Sequence, residues 1–315
     1  MTDVPVLYIG GWGRSGSTLL AHVLAEVPGF VSVDELRYVW QAGPAGNELC
    51  GCGLAFAECP FWTAVGAEAF GGWDKVDVDE VLALEAAVLR HRKIPLLAMG
   101  KLAPEHARQV HRYAELTAEL YRAILTVSGA QVVVDSTKNP PYAYFLRAAE
   151  TAGVRLRVLH LVRDSRGVVH SWMKRVSRPE VTNGDGAYFQ EFSPFKAGVR
   201  WMQCNLAFDA LRRLGVPTVR MRYESLAADP RAELERMFAA MGESGEHDLS
   251  AVGDSVQVAG QHSVRGNPMR FAHGRQQVRA DEAWRTGMAG KTRSLVVLVT
   301  WPLLLRYGYL RQASR

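Results

Sequence analysis

The sequence predicts a three-layer α/β fold, with a central parallel sheet flanked by helices, on three observations. Short apolar runs alternate with helical stretches along the 315 residues, the pattern of a parallel sheet with crossover helices. The runs VPVLYIGG (4–11), QVVVDSTKN (131–139), LRVLHLVRD (156–164) and PTVRMRYESL (217–226) have largely unbroken apolar cores, as strands covered on both faces are. Polar residues collect where these runs end, at Arg14 to Thr18, Asp135 to Lys138, Arg163 and Asp164. Such sheets bind ligands at the carboxyl ends of their strands.

The elements follow in order. The first run enters a glycine turn, and LLAHVLAEV (19–27) reads as a helix stopped by Pro28-Gly29. Residues 78–92 and 104–127 carry helical periodicity. The second run ends in a polar loop, and YAYFLRAAETAG is a helix closed by Gly153. The third run has a charged end, and SRGVVHSWMKR begins the next helix. The fourth run precedes RAELERMFAAMG, a helix with a glycine stop. Residues 175–195 and 243–281 are poor in pattern and rich in Gly, Ser, Asn and Pro, and predict loops over the same sheet edge. Near the end, LVVLVTWPLLL (295–305) predicts a buried helix with a kink or break at Pro302, with a membrane-surface anchor as the alternative. It is too short to cross a bilayer, which takes about 20 residues. No internal repeat or linker is visible, so residues 1–315 are expected to form one domain.

Bulk properties narrow the function. The formal charge is +5 and the pI about 9.1, which suits either a solvated surface or an anionic small ligand. No basic run with interleaved aromatics suggests nucleic acid. The start, MTDVPVLYIGG, lacks a basic n-region and a long apolar h-region, so a cytoplasmic protein without a transmembrane segment is expected. Four cysteines, Cys50, Cys52, Cys59 and Cys204, are then expected to be reduced. Cys-x-Cys-x6-Cys is not a standard zinc spacing, and no histidine nearby in sequence completes it. CGCGLAFAECPFW therefore predicts a glycine-rich turn with buried thiols, and no metal is expected.

The most specific signal is GGWGRSGSTLL (10–20). Strand, glycine loop and helix form an anion cradle, because a helix start presents unpaired N–H groups and a positive dipole end. Gly11, Gly13 and Gly16 allow close approach of the backbone, Ser15 lies between, and Ser17 and Thr18 add hydroxyls. Gly11 and Gly16 have phosphate-loop spacing, so the predicted fold is P-loop-like. A triphosphate-binding loop then continues with lysine; here Ser17 follows, and the cation comes earlier, at Arg14.

GRSGSTLL resembles the 5′-phosphosulfate loop of sulfotransferases that use 3′-phosphoadenosine 5′-phosphosulfate (PAPS). It is most similar to the arginine-bearing loops of the tyrosylprotein and carbohydrate enzymes. LRVLHLVRDSRGVVHSW resembles the family's 3′-phosphate segment, with Arg163 and, eight positions later, Ser171. Glu35, twenty-one positions after Arg14, occupies the offset of the general base in tyrosylprotein enzymes. VRMRYESL resembles the strand that brings a tyrosine, here Tyr223, near the adenine. HSVRGNPMRF resembles a late loop that closes over the cofactor and offers Asn267 and Arg270. The resemblance runs from residue 6 to about 291, with residues 40–130 outside its motifs.

It implies transfer of a sulfuryl group from PAPS to an acceptor hydroxyl or amine, leaving PAP, with no metal. The implied roles are Glu35 as base, with Asp34 as substitute and His262 in reserve, and Arg14 and Lys138 as cations at the transferred group. Asp135 would orient Lys138 or its loop, and Arg166 would help at the 3′-phosphate or cap its helix. The acceptor is expected to be a small molecule or natural product; monomer and homodimer both stay open. Trp40, Phe56, Phe61, Trp62, Tyr188, Phe189 and Phe192 are candidates for either an acceptor pocket or the core. Two rivals remain: a P-loop-type kinase or nucleotide phosphotransferase using ATP-Mg, and a non-catalytic module that holds an anion.

Overall fold

The computed structural model describes residues 3–176, 188–258, 261–272 and 274–310. A five-stranded parallel sheet lies at its centre, in the order β2-β3-β1-β4-β5. The strands are β1 (Val4–Gly10), β2 (Phe30–Ser32), β3 (Val132–Asp135), β4 (Val154–Val162) and β5 (Thr218–Arg222). β1 is central and pairs in parallel with β3 and along its whole length with β4. The chain order places the crossover point between β3 and β4, on either side of β1, which is where ligands of such sheets bind.

Alternation along β1 divides the core. Val4, Val6 and Tyr8 face one apolar layer with the helices Pro60–Phe70, Val78–Val88, Pro104–Ser128 and Pro140–Ala148. Leu7 and Ile9 face the other, with the helices Ser17–Ala25 and Pro230–Ala240. The sheet is thus covered on both sides, as its continuous apolar runs require.

Several expectations shift in detail. β2 was not visible in the sequence: FVS is three residues long and follows the Pro28-Gly29 stop directly. The fourth run is a shorter strand, because a short helix, Tyr223–Ala228, begins within it. The helix Pro194–Arg213 was not anticipated; the segment expected to be loop reaches only to its first residues. It buries Ala197, Trp201, Cys204, Phe208 and Leu211 at helical spacing, but it packs against both Gly290–Arg306 and Pro140–Ala148. Burial on more than one side blurs the apolar stripe. Residues 243–281 are not all loop, since β6 (Ser255–Gln257) and β7 (Arg275–Gln277) pair antiparallel. Within the segments expected as loops, residues 177–187, 259–260 and 273 lie outside the described residues.

The C-terminal segment corrects the expectation of a break. Gly290–Arg306 is one helix through Pro302. It is buried on one face only, at Val296, Thr300, Leu303 and Leu304, while Leu298 and Trp301 are exposed. The missing N–H of Pro302 costs one helical hydrogen bond, and its own ring is exposed. No described helix is long and apolar enough to cross a membrane.

Below the sheet's carboxyl edge lies a buried polar knot. Asp135 accepts hydrogen bonds from the Tyr121 hydroxyl at 2.6 Å and the Thr137 amide at 2.8 Å. Burial raises its pKa to about 6, against the lowering effect of those bonds. Burial likewise raises Asp34 to about 6, opposed first by Lys138. A carboxyl whose folded pKa is raised contributes stability that is fully present only below its unfolded pKa of about 4 and is lost as pH rises through about 6. Urea denaturation across that window should therefore show the stability difference moving in favour of Asp135→Asn as pH rises. A pH-independent difference would mean Asp135 titrates normally.

Candidate active site

The carboxyl ends of β1, β3 and β4 open into a cleft of about 810 Å³. Its wall includes Gly13, Arg14, Gly16, Ser17, Thr18, Glu35, Lys138, Arg163, Ser171, Tyr223 and Asn267. Of the residues expected as base, cations and cofactor ligands, all but Ser15 and Arg270 therefore converge. Ser15 is 2% exposed and off the cleft wall, within the loop. Arg270 is also buried, donates to the Ser263 carbonyl at 3.3 Å and lies over the Phe271 ring; of its segment, Gly266, Asn267 and Met269 reach the cleft.

The loop's geometry explains its glycines. Gly11 has φ +136°, and a Cβ there would sit 2.4 Å from the Leu161 carbonyl oxygen. Gly16 has φ +92°, and a Cβ would meet the Tyr223 ring at 2.4 Å. Both positions combine a backbone that disfavours side chains with a lack of room. Gly16 caps the helix Ser17–Ala25, so the loop delivers amides to the cleft at a helix N-terminus. Arg14 itself has φ +68°, and its guanidinium lies over Trp172 at 5.3 Å and Phe189 at 4.8 Å. Trp172 also donates from Nε1 to the Gly13 carbonyl at 3.0 Å and stacks on Trp12.

On the opposite side, Lys138 Nζ lies 2.8 Å from Glu35 Oε1 and donates to the Ser136 carbonyl at 2.6 Å. Asp34 and Lys138 take φ values of +54° and +63°. The turn is held from beneath, with the Ser136 amide donating to the Asp34 carbonyl at 2.8 Å. Asp34 is 1% exposed and off the cleft wall. The Glu35 amide donates to the Arg265 carbonyl at 3.4 Å. Glu35 is close enough to Arg14 to oppose the effect of burial, which lowers the arginine's pKa.

Arg163 is engaged by the protein more than the sequence suggested. Nη1 donates to the Arg14 carbonyl at 3.0 Å, and Nη2 to the Asp281 carbonyl at 2.7 Å and its carboxylate at 3.1 Å. The guanidinium lies over the Tyr223 ring at 4.5 Å, and the Tyr223 hydroxyl accepts from the Asp281 amide at 2.9 Å. Arg166 pairs with Asp164, the N-cap of its own helix, and is off the cleft wall.

The aromatic candidates divide. Trp40, Phe56 and Trp62 are core. Phe189 and Phe192 line the cleft, whereas Tyr188 is exposed and lies against Arg175. Residues the sequence reading missed include Trp172, Asp281, Arg279, Arg200 and His91, all on the wall. Trp172 directly follows Ser171, so its adjacency was the available signal. Asp281 carried none, being joined to Arg163 across 118 positions.

His262 is not near Glu35 on the cleft wall. It stands beside the cysteines, with Nδ1 3.2 Å from Cys59 Sγ: no histidine near in sequence joins that set, but a distant one does. The partner comes from 203 positions away, beyond the reach of a local spacing rule.

The solved sulfotransferase domain from the curacin biosynthetic pathway is 15% identical, with 95% of this chain and 99% of that chain covered and a TM-score of 0.46. The sulfotransferase domain from the Synechococcus PCC 7002 olefin synthase is 19% identical, with 94% of each chain covered and a TM-score of 0.45. No curated protein sequence matches. The family model described as "Sulfotransferase family" matches residues 5–247, more than half of the chain, and the protein belongs to that family.

Proposed function

We propose that the protein transfers the sulfuryl group of PAPS to a hydroxyl of a small-molecule acceptor, with Glu35 as general base. The observation that carries this reading is the meeting, in one cleft, of the arginine-bearing glycine loop with the Glu35–Lys138 pair. PAPS is the substrate that supplies the activated sulfuryl group. The loop amides, with Ser17 and Thr18, suit its 5′-phosphate, and Arg163, Ser171, Tyr223 and Asn267 are assigned to its nucleoside and 3′-phosphate.

In the proposed reaction the acceptor oxygen forms a bond to sulfur as the bond from sulfur to the phosphate oxygen breaks. Glu35 takes the acceptor proton, which requires the hydroxyl to lie within hydrogen-bond reach of the carboxylate. Charge grows on the departing phosphate oxygen. Arg14 and the helix N-terminus are fixed dipoles and charges aimed at that position, and such preorganised groups carry much of the catalysis. Arginine's planar fork suits two-point contact with anionic oxygens. Lys138 holds Glu35 in place and offers its remaining ammonium proton to a sulfuryl oxygen. Phe189, Phe192 and Trp12 give the acceptor side an apolar wall, which suits a compact organic acceptor.

Calorimetry with PAP, AMP and ATP-Mg in parallel tests the donor class. Tight, metal-independent PAP binding with little response to AMP is expected; preference for ATP-Mg would return the loop to a kinase role. Glu35→Gln should lower turnover by about 10²–10⁴-fold with PAP affinity nearly kept, and wild-type turnover would remove Glu35 as the base. Arg14→Ala should cost roughly 10²–10³-fold in turnover. Arg163→Ala should weaken PAP far more than adenosine 5′-phosphosulfate, which lacks the 3′-phosphate. Equal losses would mean that Arg163 serves only to hold the loop.

A further inference from the structure

Away from the cleft, the fold gathers Cys50, Cys52, Cys59 and His262 so that their ligand atoms all lie within 4.8 Å of one another. None of the four lines the cleft. Cys59 Sγ is 3.6 Å from Cys50 Sγ and 3.7 Å from Cys52 Sγ. His262 Nδ1 is 3.2 Å from Cys59 Sγ and 3.8 Å from Cys50 Sγ. These separations are far longer than a disulfide bond of about 2.05 Å, and the cysteines are free thiols. These are four of the six edges of a tetrahedron, the other two being at most 4.8 Å. A regular tetrahedron with edges of about 3.7 Å has its centre about 2.3 Å from each corner, which is a zinc–thiolate bond length.

The backbone around the cluster is built to hold that shape. Cys50 donates from its amide to the Leu54 carbonyl at 2.8 Å, and the Gly53 amide donates back to the Cys50 carbonyl at 2.9 Å. The Gly51 amide donates to the Ser263 carbonyl at 2.9 Å, which fastens the turn to the histidine segment. A Cβ on Gly51 would lie 2.4 Å from Ser263 Oγ, so glycine is required at this crossing. Cys59 is the N-cap residue of the helix Pro60–Phe70. The Phe61 ring stacks on the His262 imidazole at 4.8 Å and 6°, which fixes the ring's plane.

We propose that Cys50, Cys52, Cys59 and His262 bind one zinc ion as a closed structural site. Four protein ligands leave no open position for substrate, and three sulfurs with one imidazole in a tetrahedron select zinc among common ions. Binding releases three thiol protons: Zn²⁺ and three neutral cysteines give a Zn(Cys)₃His centre of net charge −1 and three H⁺. The site ties residues 50–59 to the segment that begins at His262. That segment continues to Arg265, whose carbonyl accepts from the Glu35 amide and whose guanidinium pairs with Glu48 at 3.0 Å. It then supplies Gly266, Asn267 and Met269 to the cleft wall. The ion thus anchors a wall of the cleft from outside it, and the proposal does not depend on which donor the cleft takes.

The test is elemental analysis of the full chain, purified without a polyhistidine tag, in reducing buffer and without added chelator. About one zinc per chain is expected, and Cys204→Ser should leave that content unchanged. His262→Ala and Cys59→Ser should lose most of the metal, while His262→Cys should retain it. Should the loss variants fail to fold, cobalt substitution of the wild type decides: thiolate-to-cobalt charge transfer and tetrahedral ligand-field bands are expected. Reduced protein that carries no zinc and takes up neither zinc nor cobalt overturns the proposal. So does a Cys50–Cys59 disulfide in the active protein, or an iron–sulfur cluster in place of zinc.

Discussion

The Arg163 guanidinium is the joint on which the cleft depends. It projects from the end of β4, and its donors reach the Arg14 carbonyl in the loop after β1 and both the carbonyl and carboxylate of Asp281. Tyr223, at the end of β5, closes the face above it. One side chain, 5% exposed, therefore sets the relative placement of three chain segments that are far apart in sequence. A charged group so deeply placed is tolerated because Nη1 and Nη2 donate to partners with full or partial negative charge. Lysine could not reproduce this, since the arrangement uses a planar fork pointing in two directions.

That joint supports a strained edge. Among the described residues, non-glycine positive φ occurs at Arg14, Asp34, Asn47 and Lys138. Three of these four flank or form the cleft. A left-handed non-glycine residue costs on the order of 1–3 kcal/mol and persists where surroundings over-determine it. Here the surroundings can be named: Arg163 and Trp172 bind the carbonyls of Arg14 and Gly13, and Ser136 binds the carbonyl of Asp34. Arg14 and Lys138 both line the same opening.

Much of this was legible in the sequence because it is local. The strand, glycine loop and helix of residues 4–25 are one contiguous signal, and the alternation of apolar runs with helices fixed the sheet's parallel character. Glu35 and Lys138 were found by offset and by position at a strand end. What escaped was non-local or masked by burial. Asp281 and His262 act on partners more than a hundred positions away. The helix Pro194–Arg213 is covered on more than one side, so its stripe blurs. β2 is too short to carry a period. The cysteine run looked incomplete because a local spacing rule cannot supply a ligand that the fold delivers.

The stacking of Trp12 on Trp172, with ring centroids 5.1 Å apart, has an optical consequence. Trp172 bonds to the loop's own backbone at Gly13 and lies under the Arg14 guanidinium, a cation that perturbs indole emission. Both indoles border the cleft. The glycine loop therefore has an intrinsic fluorophore against its backbone, one that senses the loop's electrostatic environment without any label.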